Sequence, residues 1–144
     1  MSDPAVAFHV AQDAALRASA DLALLFPDGR ARVYSVVPQN APMPFIRIGD
    51  DQVVEDSDEC VSASEIFAQV HIWTEPDPPD VQLGRQIAGI VRGLLRDLAV
   101  TGFDLVLGEF VDTRHLTDPD GSSHALLTFH YLLTTNPEPE ALPL

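Results

Sequence analysis

The chain contains no lysine. Its eight basic residues are all arginine and face twenty-two Asp and Glu, for a formal net charge of -14 over 144 residues. A protein that grips duplex DNA or RNA needs a basic stripe to displace counterions from phosphates, and none can be drawn here. An anionic membrane surface would repel the chain for the same reason. Cysteine is nearly as scarce: Cys60 stands alone, which excludes an internal disulfide framework and a cysteine-based zinc site. No apolar run approaches the roughly 20 residues needed to cross a bilayer. Met1-Ser2-Asp3-Pro4 lacks the basic segment and apolar run of a secretion signal. These absences predict cytosolic synthesis, no membrane contact, and partners that are proteins, cations or copies of the chain itself.

Catalytic signatures are missing as well. There is no Gly-x-Ser-x-Gly elbow, no glycine-rich phosphate loop ahead of a helix, and Cys60 sits among acids, poor surroundings for a thiolate nucleophile. The expectation is a protein that is not an enzyme and has no cofactor.

What is present suits one globular domain: 46% of the residues are apolar, and the length fits a single core. Asp3-Pro4 is a capping acid followed by proline, and starts a helix running to about Phe26. Val6, Val10, Ala14, Ala18, Leu22 and Leu25 form its apolar stripe. Strands are expected over Arg30 to Val37, Phe45 to Ile48, Glu65 to Thr74, Phe103 to Val111 and Ser123 to Thr134. In the third, Ile66, Ala68, Val70 and Ile72 point one way, and Phe67, Gln69, His71 and Trp73 the other. Asp80 caps a second helix from about Val81 to Val100, with Leu83, Ile87, Ile90, Val91, Leu94, Leu95 and Leu98 inward and Gly102 ending it. The fold class is α+β, a largely antiparallel sheet of about five strands with two helices on one face, in the order α-β-β-β-α-β-β. Residues 1–135 form one domain, and the proline-rich tail 136–144 is expected to fray.

Two groups of residues draw a functional reading. Asp50, Asp51, Glu55, Asp56, Asp58 and Glu59 crowd a polar stretch from Gly49 to Ser64, read as a long exposed loop or hairpin tip. The ligand register of a calcium loop is absent, leaving a solubilising loop or one that orders against a partner. His71 and His130 lie within strands and could sit side by side on one sheet face; His115 and His124 flank the last hairpin and could approach each other. No pair has the spacing of a zinc motif, so no metal site is expected. A small metal- or ligand-binding enzyme using His71 and His130 is one alternative, and a protein-interaction adaptor is another. Trp73 is expected in the core, with a contact anchor as the lesser reading.

The order of these segments resembles a known family. An N-terminal helix leads into Arg-Val-Tyr-Ser at 32–35 and the run Val-Pro-Gln-Asn-Ala-Pro-Met-Pro-Phe-Ile at 37–46. After a variable loop come Ala-Gln-Val-His-Ile-Trp at 68–73 and the helix Ile-Ala-Gly-Ile-Val-Arg-Gly-Leu-Leu at 87–95. Over nearly the whole chain this resembles the small tail-completion proteins of siphophages and gene transfer agents, also called tail terminators or head–tail joining proteins. The resemblance implies a virion structural subunit assembled in the bacterial cytoplasm into a homo-oligomeric ring, typically a hexamer, at the head–tail junction. Such a ring caps the tail tube protein, meets the head–tail connector proteins and leaves a channel through which DNA passes unbound. It supplies no catalytic residues. Within it, the acids of 50–59 are candidates for the lumen or the tube contact, and Pro42, Pro44 and Phe45 for the contact between subunits.

Overall fold

The computed structural model describes residues 3–76 and 81–135. The frayed tail expected over 136–144 and the cap expected at Asp80 lie outside the described residues.

Asp3 caps the first helix, α1 (Pro4–Ala18), its carboxylate accepting from the Ala5 amide at 2.7 Å and the Val6 amide at 3.3 Å. The helix stops earlier than the composition suggests. Ser19 adopts an extended conformation, and its hydroxyl accepts from the Leu22 amide at 3.1 Å, starting a separate short helix, α2 (Ala20–Ala23). A serine that bonds the backbone two or three residues on competes with helix continuation, and here it wins. The face buried by α1 also differs from the expected stripe. Phe8, Gln12 and Leu16 point inward, while Val6 and Val10 are 62% and 60% exposed. Both stripes have helical spacing. The one carrying Phe8 and Leu16 removes more apolar area from water than one made of valines and alanines.

The strands are β1 (Val33–Tyr34), β2 (Phe45–Glu55), β3 (Ala63–Thr74), β4 (Phe103–Thr117) and β5 (Ser123–Thr135), and α3 (Val81–Arg96) lies between β3 and β4. They form one five-stranded sheet in the order β1-β2-β3-β5-β4, antiparallel throughout except that β1 runs parallel to β2. The α+β reading therefore holds, with one more helix than expected. The strand expected over Arg30 to Val37 is only two residues long, because Arg32 reaches forward to the Pro42 and Pro44 carbonyls and the chain turns away at Pro38.

The long loop expected from Gly49 to Ser64 is corrected: most of it is strand. β2 continues to Glu55 through a bulge between Ile48 and Asp50, and only residues 56–62 form the hairpin tip. The bulge reverses the alternation. Ile46 and Ile48 are buried ahead of it; beyond it Asp50 pairs with Gln69, and Asp51 takes the inward place opposite Ala68.

The core lies between this sheet and the helices. Ile46, Ile48, Ile66, Val70, Ile72, Leu127, Phe129, Tyr131 and Leu133 meet Phe8, Leu16, Leu22, Ile87, Val91 and Leu95. The Tyr131 hydroxyl donates to the Leu95 carbonyl at 2.6 Å, tying the end of α3 to β5. Burial pushes that phenol well above its ordinary range. Helix α3 ends at Arg96, short of Val100, yet Leu98 and Val100 remain buried beyond it, and Gly102 turns the chain with a φ of 87°.

Candidate functional site on the open face of the sheet

The other face of the sheet carries the alternate residues of the same strands: Arg47 and Asp50 from β2, Phe67, His71 and Trp73 from β3, and His124 and His130 from β5. None belongs to the core between sheet and helices. Trp73, expected in that core, lies here. Its ring stacks on His124 at 4.4 Å and His71 at 5.3 Å and tilts against Phe45 at 5.3 Å.

Hydrogen bonds run through this group from one carboxylate to another. Arg47 clasps Asp50 through both guanidinium nitrogens, at 2.7 and 3.0 Å, and Asp50 Oδ2 lies 3.0 Å from His71 Nε2. His71 Nδ1 lies 2.9 Å from His124 Nε2, and His124 Nδ1 lies 3.1 Å from Asp118 Oδ1. The Trp73 indole donates to Asp118 Oδ2 at 2.7 Å and closes the loop. The bond and charge of Arg47, with a smaller share from His71, hold the Asp50 carboxyl below the usual range despite partial burial. Burial, and then the charge of His124, lower the His71 imidazole, with Asp50 opposing.

His71 and His130 are not brought together. His130 pairs across the sheet with Phe67 and stacks on its ring at 4.8 Å. Its Nε2 lies 2.7 Å from Glu65 and its Nδ1 3.5 Å from Glu109. This removes the geometry on which an enzyme using His71 and His130 depended. His124 bonds His71 and Asp118, while His115 pairs with Ala125 on the neighbouring strand, where burial and the Arg85 charge lower its imidazole. Among the described residues, no group of His, Cys, Asp or Glu has the arrangement of a metal site. The strand alternation puts His71 and Trp73 on one face, but their partnership with His124 depends on the pairing of β3 with β5, which no local pattern encodes.

The acidic residues divide three ways. Asp50 is paired within the histidine network, and Asp51 points inward with a buried oxygen lacking a partner, so that desolvation raises its carboxyl. Glu55, Asp56, Asp58 and Glu59 lie exposed at the end of the β2–β3 hairpin. That tip is an ordered turn: Asp58 accepts from the Cys60 and Val61 amides at 2.8 and 2.7 Å, bonds that hold its carboxyl low, and Ser57 bonds across to Ala63. Of the residues expected at the subunit contact, Pro42 is exposed, whereas Pro44 and Phe45 are buried. On the opposite side of the molecule, Val6 and Val10 line an open apolar groove against Leu94 and Leu98, a surface that sequence reasoning placed inside.

The arrangement defines an α+β module whose open sheet face carries a linked network of arginine, aspartate, histidine and tryptophan side chains. The profile of the family described as tail completion protein gp17 matches residues 13–134, and the chain belongs to that family. Among solved structures, a chain from the virion of a native gene transfer agent particle superposes with a TM-score of 0.79, covering 93% of this chain and 99% of that one at 21% identity. At that identity the likeness is one of fold. A comparison with curated protein sequences finds no match.

Proposed function

We propose that the chain is a ring subunit that caps the tail tube and joins tail to head in a siphophage-like particle, leaving a channel for DNA. Family membership over residues 13–134 is the observation that carries this reading. A net charge of -14 without a lysine supports it, because like charge keeps passing DNA from adhering to a channel wall. The ring is a homo-oligomer, six copies by resemblance, touching the tube protein on one side and the head connector on the other. It is assembled in the cytoplasm, and each subunit contributes one domain over 1–135.

The β2–β3 hairpin tip is the lumen or tube-docking element, through Glu55, Asp56, Asp58 and Glu59. Asp50 is bonded within the histidine network and Asp51 points inward, so neither takes a direct part. Pro42 remains available to a neighbouring subunit.

Deleting the gene in the producing strain and imaging particles by negative-stain electron microscopy tests the reading. Overlong tails, or separate heads and unjoined tails, are expected; normal joined particles would overturn it. Replacing the four tip acids with Gln and Asn should impair joining or DNA delivery without unfolding the subunit. Normal delivery would remove the tip from that role.

A further inference from the structure

The histidine pair on the open face poses a problem of hydrogen counting. An ionised carboxylate only accepts, so Asp50 and Asp118 each require a hydrogen on the ring nitrogen they face, His71 Nε2 and His124 Nδ1. A neutral imidazole has a single N–H. With both rings neutral, His71 Nδ1 and His124 Nε2 would therefore present lone pairs to each other across 2.9 Å. Exchanging the tautomer of either ring moves the same conflict to a carboxylate. All three contacts close together when one further proton lies between the rings.

We propose that His71 and His124 form a binding site for a single proton, held between the two imidazoles at neutral pH and fastening β3 to β5 on the open face of the sheet.

Charge agrees with this count. Arg47 offsets one of the two carboxylates, and the shared proton offsets the other, leaving the cluster neutral. A second proton would set one N–H against another. The lowered His71 imidazole fits a ring that accepts the shared proton, so the hydrogen rests on His124 Nε2 and points at His71 Nδ1. Among the described residues, the surroundings add no competing base. β2 contributes Arg47 and Asp50, and the β4–β5 turn contributes Asp118. On β4, Leu116 stands opposite His124 and Arg114 opposite Leu126. His115 feels Arg85 on α3. Trp73 stacks on both imidazoles, and their side chains are only 13% and 12% exposed, so water reaches the site poorly.

The spacing distinguishes a proton from a metal. An N···N distance of 2.9 Å is that of a hydrogen bond, whereas zinc at about 2.0–2.1 Å from each nitrogen would push the rings apart. Acidification supplies the second proton and sets one N–H against the other, which breaks the bond between the rings and changes the charge on the imidazoles stacked against Trp73, while each ring still donates to its carboxylate. The pair is thus a catch that opens at low pH, and this holds whether or not the subunit builds a ring.

Nitrogen NMR of the full chain labelled at its histidines, with chelator present, tests the inference. Near neutral pH one imidazolium (His124) and one Nε2–H neutral ring (His71) are expected, with a scalar coupling between nitrogens across the bond. Asp118→Asn should shift loss of the shared proton to lower pH. Trp73 is the only tryptophan in the chain, so its emission provides a second readout. A transition on acidification is expected in the parent and should be lost in His124→Gln, with circular dichroism showing that the variant is folded. Two neutral rings without coupling would overturn the inference. So would a ring–ring signal seen only with added zinc and abolished by chelator, or an acid transition that survives in folded His124→Gln.

Discussion

The two faces of this sheet are made by the same strands, one residue out of step, and they are held by different physics. On the covered face Ile66, Val70 and Ile72 of β3 meet Leu127, Phe129 and Tyr131 of β5 and the helices, all excluded from water. Their stabilisation is non-directional and scales with the area buried, at about 25 cal/mol per Å². On the open face Phe67, His71, Trp73, His124 and His130 are joined by ring stacking and by hydrogen bonds whose strength depends on charge. One side therefore supplies stability that changes little with pH, and the other carries side chains whose arrangement pH can alter. A strand that alternates can serve both without a loop or insertion.

The comparison is most strongly tested by two phenylalanines on adjacent strands. Phe129→Ala should cost about 3–5 kcal/mol in urea unfolding, because Phe129 is fully buried. Phe67→Ala should cost roughly 0.5–1.5 kcal/mol, the scale of its stacking on His130, since the ring is 40% exposed. Equal costs would mean that something covers the open face in solution. Next in size is Gly108→Ala. A Cβ at this β4 position would collide with the Arg96 carbonyl oxygen at the end of α3, and overpacking of this kind costs roughly 1–3 kcal/mol. An unaffected midpoint would show that α3 can lift from the sheet at little cost.

A smaller effect separates the faces by pH. The His71 imidazole is lower in the folded chain than its ordinary 6.5, so the unfolded chain binds more protons there. Its contribution is fully present above about pH 6.5 and is lost as pH falls towards the folded value. Unfolding free energy measured across that window should decline on acidification in the parent, and less in His71→Gln. The smallest effect has the opposite sign. Burial raises Asp51, so its contribution is complete below 3.8 and is lost as pH rises through the folded value. Asp51→Asn should therefore raise the melting temperature slightly at neutral pH, with the gain fading towards pH 4. A loss at neutral pH would place an unseen partner on that carboxylate.

Much of the covered face was legible because alternation and helical spacing report burial directly. Ile66, Ala68, Val70 and Ile72, and Ile87, Val91 and Leu95 on α3, are where the pattern puts them. The first helix misled because an alanine-rich segment offers two stripes of similar spacing, and only the tertiary contact of Phe8 with Tyr131 chooses between them. The second strand misled for another reason: acids at Asp50, Asp51 and Glu55 read as loop, and a bulge interrupts the alternation that would have marked it. The histidine network was the least legible part. Asp50, His71, Asp118 and His124 come from separate elements, and only the register of β3 against β5 and the position of the last turn bring them together.

The single extra residue at Gly49 has a consequence for how relatives of this chain should be aligned. A strand keeps a two-beat phase, and one inserted residue inverts it for everything downstream. Here the inversion turns Asp50 towards His71 and puts Asp51 on the inner side. A relative lacking that residue would keep the same pairing, with the residues aligned to Ile48 and Asp50 standing next to each other opposite Val70 and Gln69. Its positions aligned to 50–55 would stay on their present sides only if the alignment opens a one-residue gap at 49. Aligned without that gap, acids and aliphatics in the later columns would be transposed by one place, so a gap at 49 marks a lost bulge and preserves the phase.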